Sequence, residues 1–287
     1  VLKNAELKTA VGSVGSFVSE VRVNGEDRAV TYGVAVIATG GKESRPEEYL
    51  YGEDPRVMTH LEFDAEMRDN PGSLKKAQSV VFIQCVGSRD KEKNPGCSRY
   101  CCPTTIKQAV RLREAGVNVA VLHRDMRTVG ALAEEHYRHA RQMGVKFLRF
   151  TPERLPKVVG KGKNASSVEI LELALDRTLD IDADFVVLAS GMVPNEYSTS
   201  KMQDILKVPR GADGFFMERH AKLGPVETTT EGVFLAGCVG GPKDIADSIA
   251  QGSAAAAKVA AIISHETVAL EPTTCVVEPS LCRACGS

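Results

Sequence analysis

A strand, a helix and a second strand follow one another between residues 79 and 122, and this order constrains the fold more than any other feature. The apolar run Ser79-Val80-Val81-Phe82-Ile83-Gln84 is typical of a buried strand. The segment after it has apolar residues spaced three and four apart, which predicts a helix that ends near Gly116. Residues 117–122 are again a short apolar run. A strand, a crossover helix and a strand predict a parallel sheet and the α/β class.

Other apolar runs extend this architecture. Residues 11–23 alternate with glycines between them, which predicts a small antiparallel meander. Val36-Ile37-Ala38-Thr39-Gly40 and Val187-Leu188-Ala189-Ser190-Gly191 end alike, which indicates two similar domains. A third strand, 232–238, leads through a glycine turn into an Ala-rich helix that is expected to end near His265. Such a turn at a helix N-terminus suits a phosphate or a flavin carbonyl, although an ordinary strand–turn–helix connection is an equal alternative.

Composition excludes several classes of function. Lys and Arg number 36 against 37 Asp and Glu, and no basic run is present, which argues against nucleic acid as the main ligand. The longest apolar stretch falls short of the roughly 20 residues that a membrane-spanning helix needs. The chain begins at Val1 with no leader that resembles a targeting signal, so we expect a cytoplasmic protein and a piece of a longer chain.

The cysteines form two clusters with one outlier, which favours metal or redox chemistry over a disulfide framework. Their positions are Cys85, Cys97, Cys101 and Cys102, then Cys238, then Cys275, Cys282 and Cys285. Four thiolates at the mouth of a parallel sheet suit one [4Fe–4S] cluster, since soft sulfur ligands select iron–sulfur or zinc. The spacing of the first four is not that of an ordinary ferredoxin, and adjacent cysteines strain a zinc site. The alternative is a set of buried thiols, with Pro103 merely opening a helix.

The turn after the strand 79–84 lacks the glycines of a turn that binds a nicotinamide nucleotide. A turn that binds the diphosphate of NAD is rich in glycine, whereas Cys85-Val86-Gly87-Ser88-Arg89-Asp90 has a single one. We therefore expect nicotinamide binding to be lost and treat Arg124, at the place of an NADP-specific arginine, as a surface residue.

Four segments together resemble the flavoproteins of the thioredoxin reductase type, and more closely the family of the heterodisulfide reductase flavin and iron–sulfur subunits. They are residues 57–63, 82–90, 97–102 and 232–247. The resemblance implies two dinucleotide-binding, Rossmann-like domains, of which the FAD domain is incomplete because its first glycine-rich unit is missing. It divides the chain into a first part of the FAD domain (1–75), an NAD(P)-like domain with the inserted cysteines (76–192), a second part of the FAD domain (193–267) and a linker with the start of a ferredoxin module (268–287).

The resemblance also assigns site residues. For FAD these are Thr39, Gly40, Gly41, Gly237, Cys238, Gly241, Pro242, Lys243, Asp244 and Ile245. It implies a [4Fe–4S] cluster near the flavin on Cys85, Cys97, Cys101 and Cys102, and places Cys282 and Cys285 at the start of a second cluster motif. Lys107 would face the flavin and stabilise its reduced, anionic form, although a solvated helix lysine carries nearly equal weight. Cys275 has no role in the family, and a free thiol is expected.

The implied function is electron transfer. The chain would be the flavin and iron–sulfur core of a heterodisulfide reductase-like complex, working with its other subunits and with ferredoxin or hydrogenase-type electron donors. Flavin-based electron bifurcation and a homodimer are further arrangements that the resemblance allows. Two alternatives remain open, an NAD(P)H-dependent flavin disulfide oxidoreductase and a scaffold module without cofactors.

Overall fold

A computed structural model describes residues 1–74, 76–161, 165–173, 175–269, 278 and 280–283. Its strands and helices in chain order are β1 (Ala5–Ser13), β2 (Ser16–Val23), β3 (Glu26–Tyr32), β4 (Ala35–Ile37), β5 (Gly41–Glu43), β6 (Val57–Thr59), α1 (His60–Asp69), α2 (Pro71–Leu74), β7 (Ser79–Val86), α3 (Cys101–Glu114), β8 (Asn118–His123), α4 (Ala133–Gln142), β9 (Lys146–Arg149), β10 (Lys157–Lys161), β11 (Ala165–Glu172), β12 (Arg177–Ala183), β13 (Phe185–Ser190), β14 (Met192–Pro194), α5 (Glu196–Leu206), β15 (Val233–Leu235) and α6 (Ile245–Ile263). A short 3-10 helix (Gly237–Gly240) precedes α6.

The central sheet has five strands in the order β6-β13-β7-β8-β9, and every neighbouring pair in it is parallel. The predicted strand–helix–strand unit is confirmed, since β7 pairs with β8 and α3 lies between them in sequence. Strand β7 is buried at every position after Ser79, as expected for a strand with both faces covered. Fully buried side chains such as Phe82 and Leu188 each contribute about 1.5–3 kcal/mol to the free energy of unfolding.

Two different layers cover the sheet. Helices α1, α3 and α4 pack on one face through residues that include Phe63, Ile106 and Ala140. The antiparallel meander β10-β11-β12 packs on the other face. Strand β11 ends at Glu172, and Asp176, just before β12, is in the left-handed region at φ 47°, a conformation that Asp tolerates in turns.

Two small sheets bring distant parts of the chain together. Strand β4 pairs in parallel with β15, and β5 pairs antiparallel with β14. The predicted opening meander is confirmed as β1-β2-β3, and its Phe17 packs against Val233 and Leu235. The glycine-rich ends of β4 and β15 therefore lie side by side.

Helix α6 begins beside these ends. Asp244 is its N-cap and accepts a hydrogen bond from the backbone N–H of Asp247 at 2.8 Å, which satisfies one of the free donors of the first turn. The helix ends at Ile263, close to the predicted end. None of the helices in the described ranges combines the length and apolar content that crossing a bilayer requires.

Candidate functional site

Helix α3 starts at the carboxyl end of β7, and its first two residues are Cys101 and Cys102. Its N-cap, Tyr100, makes no side-chain capping hydrogen bond. Both cysteines therefore lie in the first turn, at the positive end of the helix dipole. This position favours electron-rich sulfur. Pro103 fits the first turn because the N–H that it lacks would have no partner inside the helix.

Three cysteines of the first cluster, Cys85, Cys97 and Cys102, lie within electrostatic range of the fourth, Cys101. Cys101 and Cys102 are hydrogen-bonded through their side chains, and this bond raises the pKa of Cys101 and lowers that of Cys102. Negative charge on Cys85 or Cys97 also raises the pKa of Cys101. Cys85, Cys101 and Cys102 are buried, Cys97 is half-buried, and all four are free thiols. Cys85 takes a left-handed backbone conformation at φ 64°, which marks a special turn for a residue with a β-carbon.

Arginines surround this group of thiols. Arg89 places Nη1 3.8 Å from the sulfur of Cys85 and forms an ion pair with Asp125. The guanidinium of Arg124 donates to the carbonyl of Arg89 at 2.7 Å, and the backbone N–H of Arg127 is hydrogen-bonded to Cys102. Arg124, which was expected at the surface, is half-buried. Its hydrogen bond to Arg89 holds the loop that follows β7. The cationic groups stabilise negative charge on the sulfurs.

The donor chemistry of the four cysteines suits an iron–sulfur cluster, because sulfur is the ligand that such a cluster takes. Within the described ranges, however, no three His, Cys, Asp or Glu side chains are grouped as a metal site requires. Cys282 is exposed, whereas the predicted roles of Cys275 and Cys285 lie outside the described residues.

A cleft of about 820 Å³ opens beside the cysteines, between α3, α6, β5 and β14. Six of the residues predicted from the sequence line it, namely Gly41, Lys107, Cys238, Lys243, Asp244 and Ile245. The other predicted residues lie on the flanking turns. Thr39 and Gly40 come just before β5, and Gly237, Gly241 and Pro242 lie between β15 and α6.

Several details of this cleft suit a flavin. Gly40, Gly237 and Gly241 have positive φ angles of 70°, 73° and 119°, so the two turns depend on glycine. The hydroxyl of Thr39 is buried without a hydrogen-bond partner in the described part of the chain, but Thr39 lines a separate cavity with Ala38 and Met202 and not this cleft. Burial lowers the pKa of Lys243, and its ammonium group donates to the carbonyl of Gly241 at 3.3 Å.

Two residues of the cleft were missed by the sequence reasoning. Burial raises the pKa of Glu43, whose carboxylate accepts from the N–H of Leu61 at 3.4 Å. Tyr100 donates its hydroxyl to the carbonyl of Ser190 at 3.2 Å, and burial raises its pKa. Glu43 was detectable in principle, because it stands two residues after Gly41 and so on the same face of the strand.

Comparisons with solved structures identify the fold class. Over 91% of this chain and 74% of that chain, the structure is similar to T. acidophilum thioredoxin reductase, with a TM-score of 0.58 and 17% identity. The NAD-dependent persulfide reductase from A. fulgidus gives a TM-score of 0.52 at 19% identity, over 93% of this chain and 45% of that chain. The chain therefore has the thioredoxin reductase-like fold, as predicted.

Sequence comparisons find relatives among heterodisulfide reductase subunits. An iron–sulfur subunit of the CoB–CoM heterodisulfide reductase of Methanopyrus kandleri is 38% identical over 254 residues, which are 84% of this chain and 38% of that protein. The corresponding subunit of the "H(2):CoB-CoM heterodisulfide,ferredoxin reductase" of Methanothermobacter marburgensis is 35% identical over 276 residues, covering 91% of this chain and 41% of the relative. No family model matches. The chain is thus a homologue of these heterodisulfide reductase subunits and spans about two fifths of their length.

Proposed function

We propose that this chain is the flavin and iron–sulfur core of an electron-transfer subunit in a heterodisulfide reductase-like complex. One observation carries the proposal, which is that helix α3 contains two of the cysteines and also borders the cleft. Its first two residues are Cys101 and Cys102, while Pro103, Thr104 and Lys107 line the adjacent cleft. A redox group on the thiols and another in the cleft would share a single short helix segment, which keeps the path for electrons short.

The cleft is the proposed FAD site. The glycine turns at Gly40 and Gly241 let the backbone approach the ligand closely, and the α6 N-terminus offers the positive end of its dipole. Lys107 would hold a positive charge against the flavin ring and stabilise its reduced, anionic form. Glu43 and Tyr100 also line the cleft and would donate or accept hydrogen bonds there. Bound FAD supplies one- and two-electron transfer.

The cysteines Cys85, Cys97, Cys101 and Cys102 are the proposed ligands of one [4Fe–4S] cluster, which supplies one-electron transfer when bound. Arg89 and the backbone N–H of Arg127 stabilise negative charge on these sulfurs. The chain's contribution is to exclude water through burial and to set the reduction potential through charge and hydrogen bonds.

The remaining assignments complete the proposal. Residues 1–75 and 193–267 would form the flavin domain, residues 76–192 the NAD(P)-like domain, and residues 268–287 a linker that leads into a ferredoxin module with Cys282 and Cys285 as cluster ligands. Other subunits of the complex and ferredoxin or hydrogenase-type donors would exchange electrons with the chain. The names of the relatives support such partners, because they include "H(2):CoB-CoM heterodisulfide,ferredoxin reductase".

Visible spectroscopy of anaerobically purified protein tests the proposal against its alternatives. A broad shoulder near ~400 nm that bleaches on reduction, together with flavin bands, is expected of iron–sulfur and flavin cofactors. Flavin bands alone, with reduction by NAD(P)H, would indicate a disulfide oxidoreductase. A colourless preparation that reconstitution with iron, sulfide and FAD leaves unchanged would indicate a scaffold module, and either result would overturn the proposal.

A further inference from the structure

Four polar side chains lie wholly buried behind the cysteines, in the layer between β7 and helices α1 and α3. They are His60, Gln84, Thr105 and Gln108, each no more than 1% exposed. Burying such groups in an apolar layer costs free energy unless they are hydrogen-bonded. They come from three separate segments of the chain, and two of those segments carry the family resemblance. A functional role would explain why polar side chains from distant segments are buried together.

Three of these side chains form a continuous path to a cysteine. The sulfur of Cys102 lies 3.8 Å from Oε1 of Gln84. Nε2 of Gln84 lies 2.5 Å from Oγ1 of Thr105. The same hydroxyl lies 2.8 Å from Nε2 of His60. Thr59 fixes His60 at the start of α1, since Thr59 and Glu62 form a capping box there.

The other ring nitrogen of His60 sets the direction of this path. Nδ1 of His60 is buried and has no hydrogen-bond partner in the described part of the chain. The nearby amide of Gln108 donates instead to the His60 carbonyl at 3.2 Å and to Asp64 at 2.8 Å. A buried N–H without an acceptor is among the rarest arrangements in proteins. A ring nitrogen that carries no proton leaves only an acceptor unpaired, which is less unfavourable. The proton of the neutral ring therefore belongs on Nε2.

A proton on Nε2 allows one continuous chain of hydrogen bonds. His60 then donates to Oγ1 of Thr105, and the hydroxyl of Thr105 can donate onward to the amide of Gln84, 2.5 Å away, when the oxygen of that amide faces it. The oxygen and nitrogen of an amide are assigned from such partners, so the amide oxygen points to Thr105 and the NH₂ group to Cys102. This is the arrangement that a thiolate requires, because a thiolate accepts hydrogen bonds and cannot donate one.

We propose that His60, Thr105 and Gln84 form a hydrogen-bond relay that delivers an amide N–H to the sulfur of Cys102 and raises the reduction potential of the cluster bound there. A second donor to the same sulfur is the backbone N–H of Arg127. Hydrogen bonds to a ligand sulfur favour the reduced, more negative cluster. The effect on potential rests on the proposed iron–sulfur function, whereas the hydrogen-bond direction does not.

Conservative changes at Thr105 test the effect on potential in the full chain, purified anaerobically. Thr105→Val removes the hydroxyl at nearly constant volume, and we expect a lower midpoint potential in an EPR-monitored titration with iron content unchanged. Thr105→Ser keeps the hydroxyl and should restore the wild-type potential. Thr199→Val makes the same change at a buried threonine of α5 and should leave the potential unchanged. Equal potentials for the wild type and Thr105→Val would overturn the proposal.

The tautomer of His60 tests the direction of the relay independently of any cluster. ¹⁵N chemical shifts of histidine-labelled protein, with the signal assigned through a His60→Gln variant, should show the proton on Nε2. A proton on Nδ1 would overturn the relay even if the cluster is present. Wild-type protein without iron but with Nε2 protonated would refute the proposed function and leave the relay standing.

Discussion

The guanidinium of Arg89 lies against the thiol of Cys85, with Nη1 3.8 Å from Sγ, and is held there by an ion pair with Asp125. The two residues flank the turn that follows β7, and both have positive φ angles, 56° and 64°. In a fold that binds a pyridine nucleotide, this loop would contact the diphosphate. Here it places the guanidinium of Arg89 beside the sulfur of Cys85.

Arg89→Gln should lower the midpoint potential of the proposed cluster. Removing the positive charge destabilises the reduced, more negative state, and a shift on the order of 60 mV corresponds to a tenfold change in the one-electron equilibrium. Asp125→Asn should shift the potential in the opposite direction, because it leaves Arg89 without its counter-charge. Arg68→Gln, at an exposed residue of α1, is the control. Identical potentials in Arg89→Gln and Arg68→Gln would contradict the role of Arg89.

Lys107→Ala should lower the flavin potential, since Lys107 lines the proposed flavin cleft. Without the positive charge the anionic reduced flavin loses stabilisation, whereas Lys107→Arg keeps the charge and should change the potential less. The measurement is a spectroscopic redox titration of the bound flavin. Lys146→Ala, at an exposed position of β9, controls for a general change of charge, and an unchanged titration for Lys107→Ala would remove Lys107 from the site.

Cys101→Ser should lose most of the bound iron, because it removes a buried proposed ligand. Cys238→Ser should keep the iron and instead affect the flavin, because Cys238 lines the cleft and lies outside the four-cysteine group. Iron and flavin are quantified on the same samples. Loss of iron in both variants, or in neither, would contradict the division of the site into a cluster and a flavin part.

His60 should make the stability of the protein depend on pH in the acidic range. Burial lowers its pKa from 6.5 to about 4, so the unfolded chain binds a proton at a higher pH than the native chain does. Stability is therefore full above pH 6.5 and decreases as the pH falls toward 4, by about 3 kcal/mol for a shift of this size.

Urea unfolding at several pH values measures this loss. His60→Gln should flatten the dependence between pH 6.5 and 5, whereas His136→Gln, at an exposed position of α4, should not. Parallel curves for the wild type and His60→Gln in that interval would show that His60 titrates alike in both states.

Local patterns were sufficient to predict much of the molecule. The strand–helix–strand unit around α3 and the glycine turns before β5 and α6 follow from apolar spacing and from glycine, which act within a few residues. Six of the predicted flavin-site residues line one cleft for the same reason, since the ends of strands that lie side by side bring their turns together.

Long-range contacts explain what the sequence did not predict. Glu43 becomes a cleft residue only because β5 pairs with β14, some 150 residues away. His60 meets Gln84 and Thr105 only because α1 and α3 pack on the sheet. Arg124 is half-buried because its guanidinium donates to the carbonyl of Arg89. None of these partners is near in sequence. A local pattern can therefore indicate the face on which a residue such as Glu43 lies, but not the partner that it meets.

The most direct test of the account is the content of iron and acid-labile sulfide in anaerobically purified protein, measured beside the Cys85→Ser, Cys97→Ser, Cys101→Ser and Cys102→Ser variants. The account predicts four iron and four sulfide for the cluster on these cysteines, lost in each variant. Either of two results would contradict the account. One is an iron and sulfide content in the wild type that none of the four substitutions changes, and the other is wild-type protein that holds no iron or sulfide even after reconstitution.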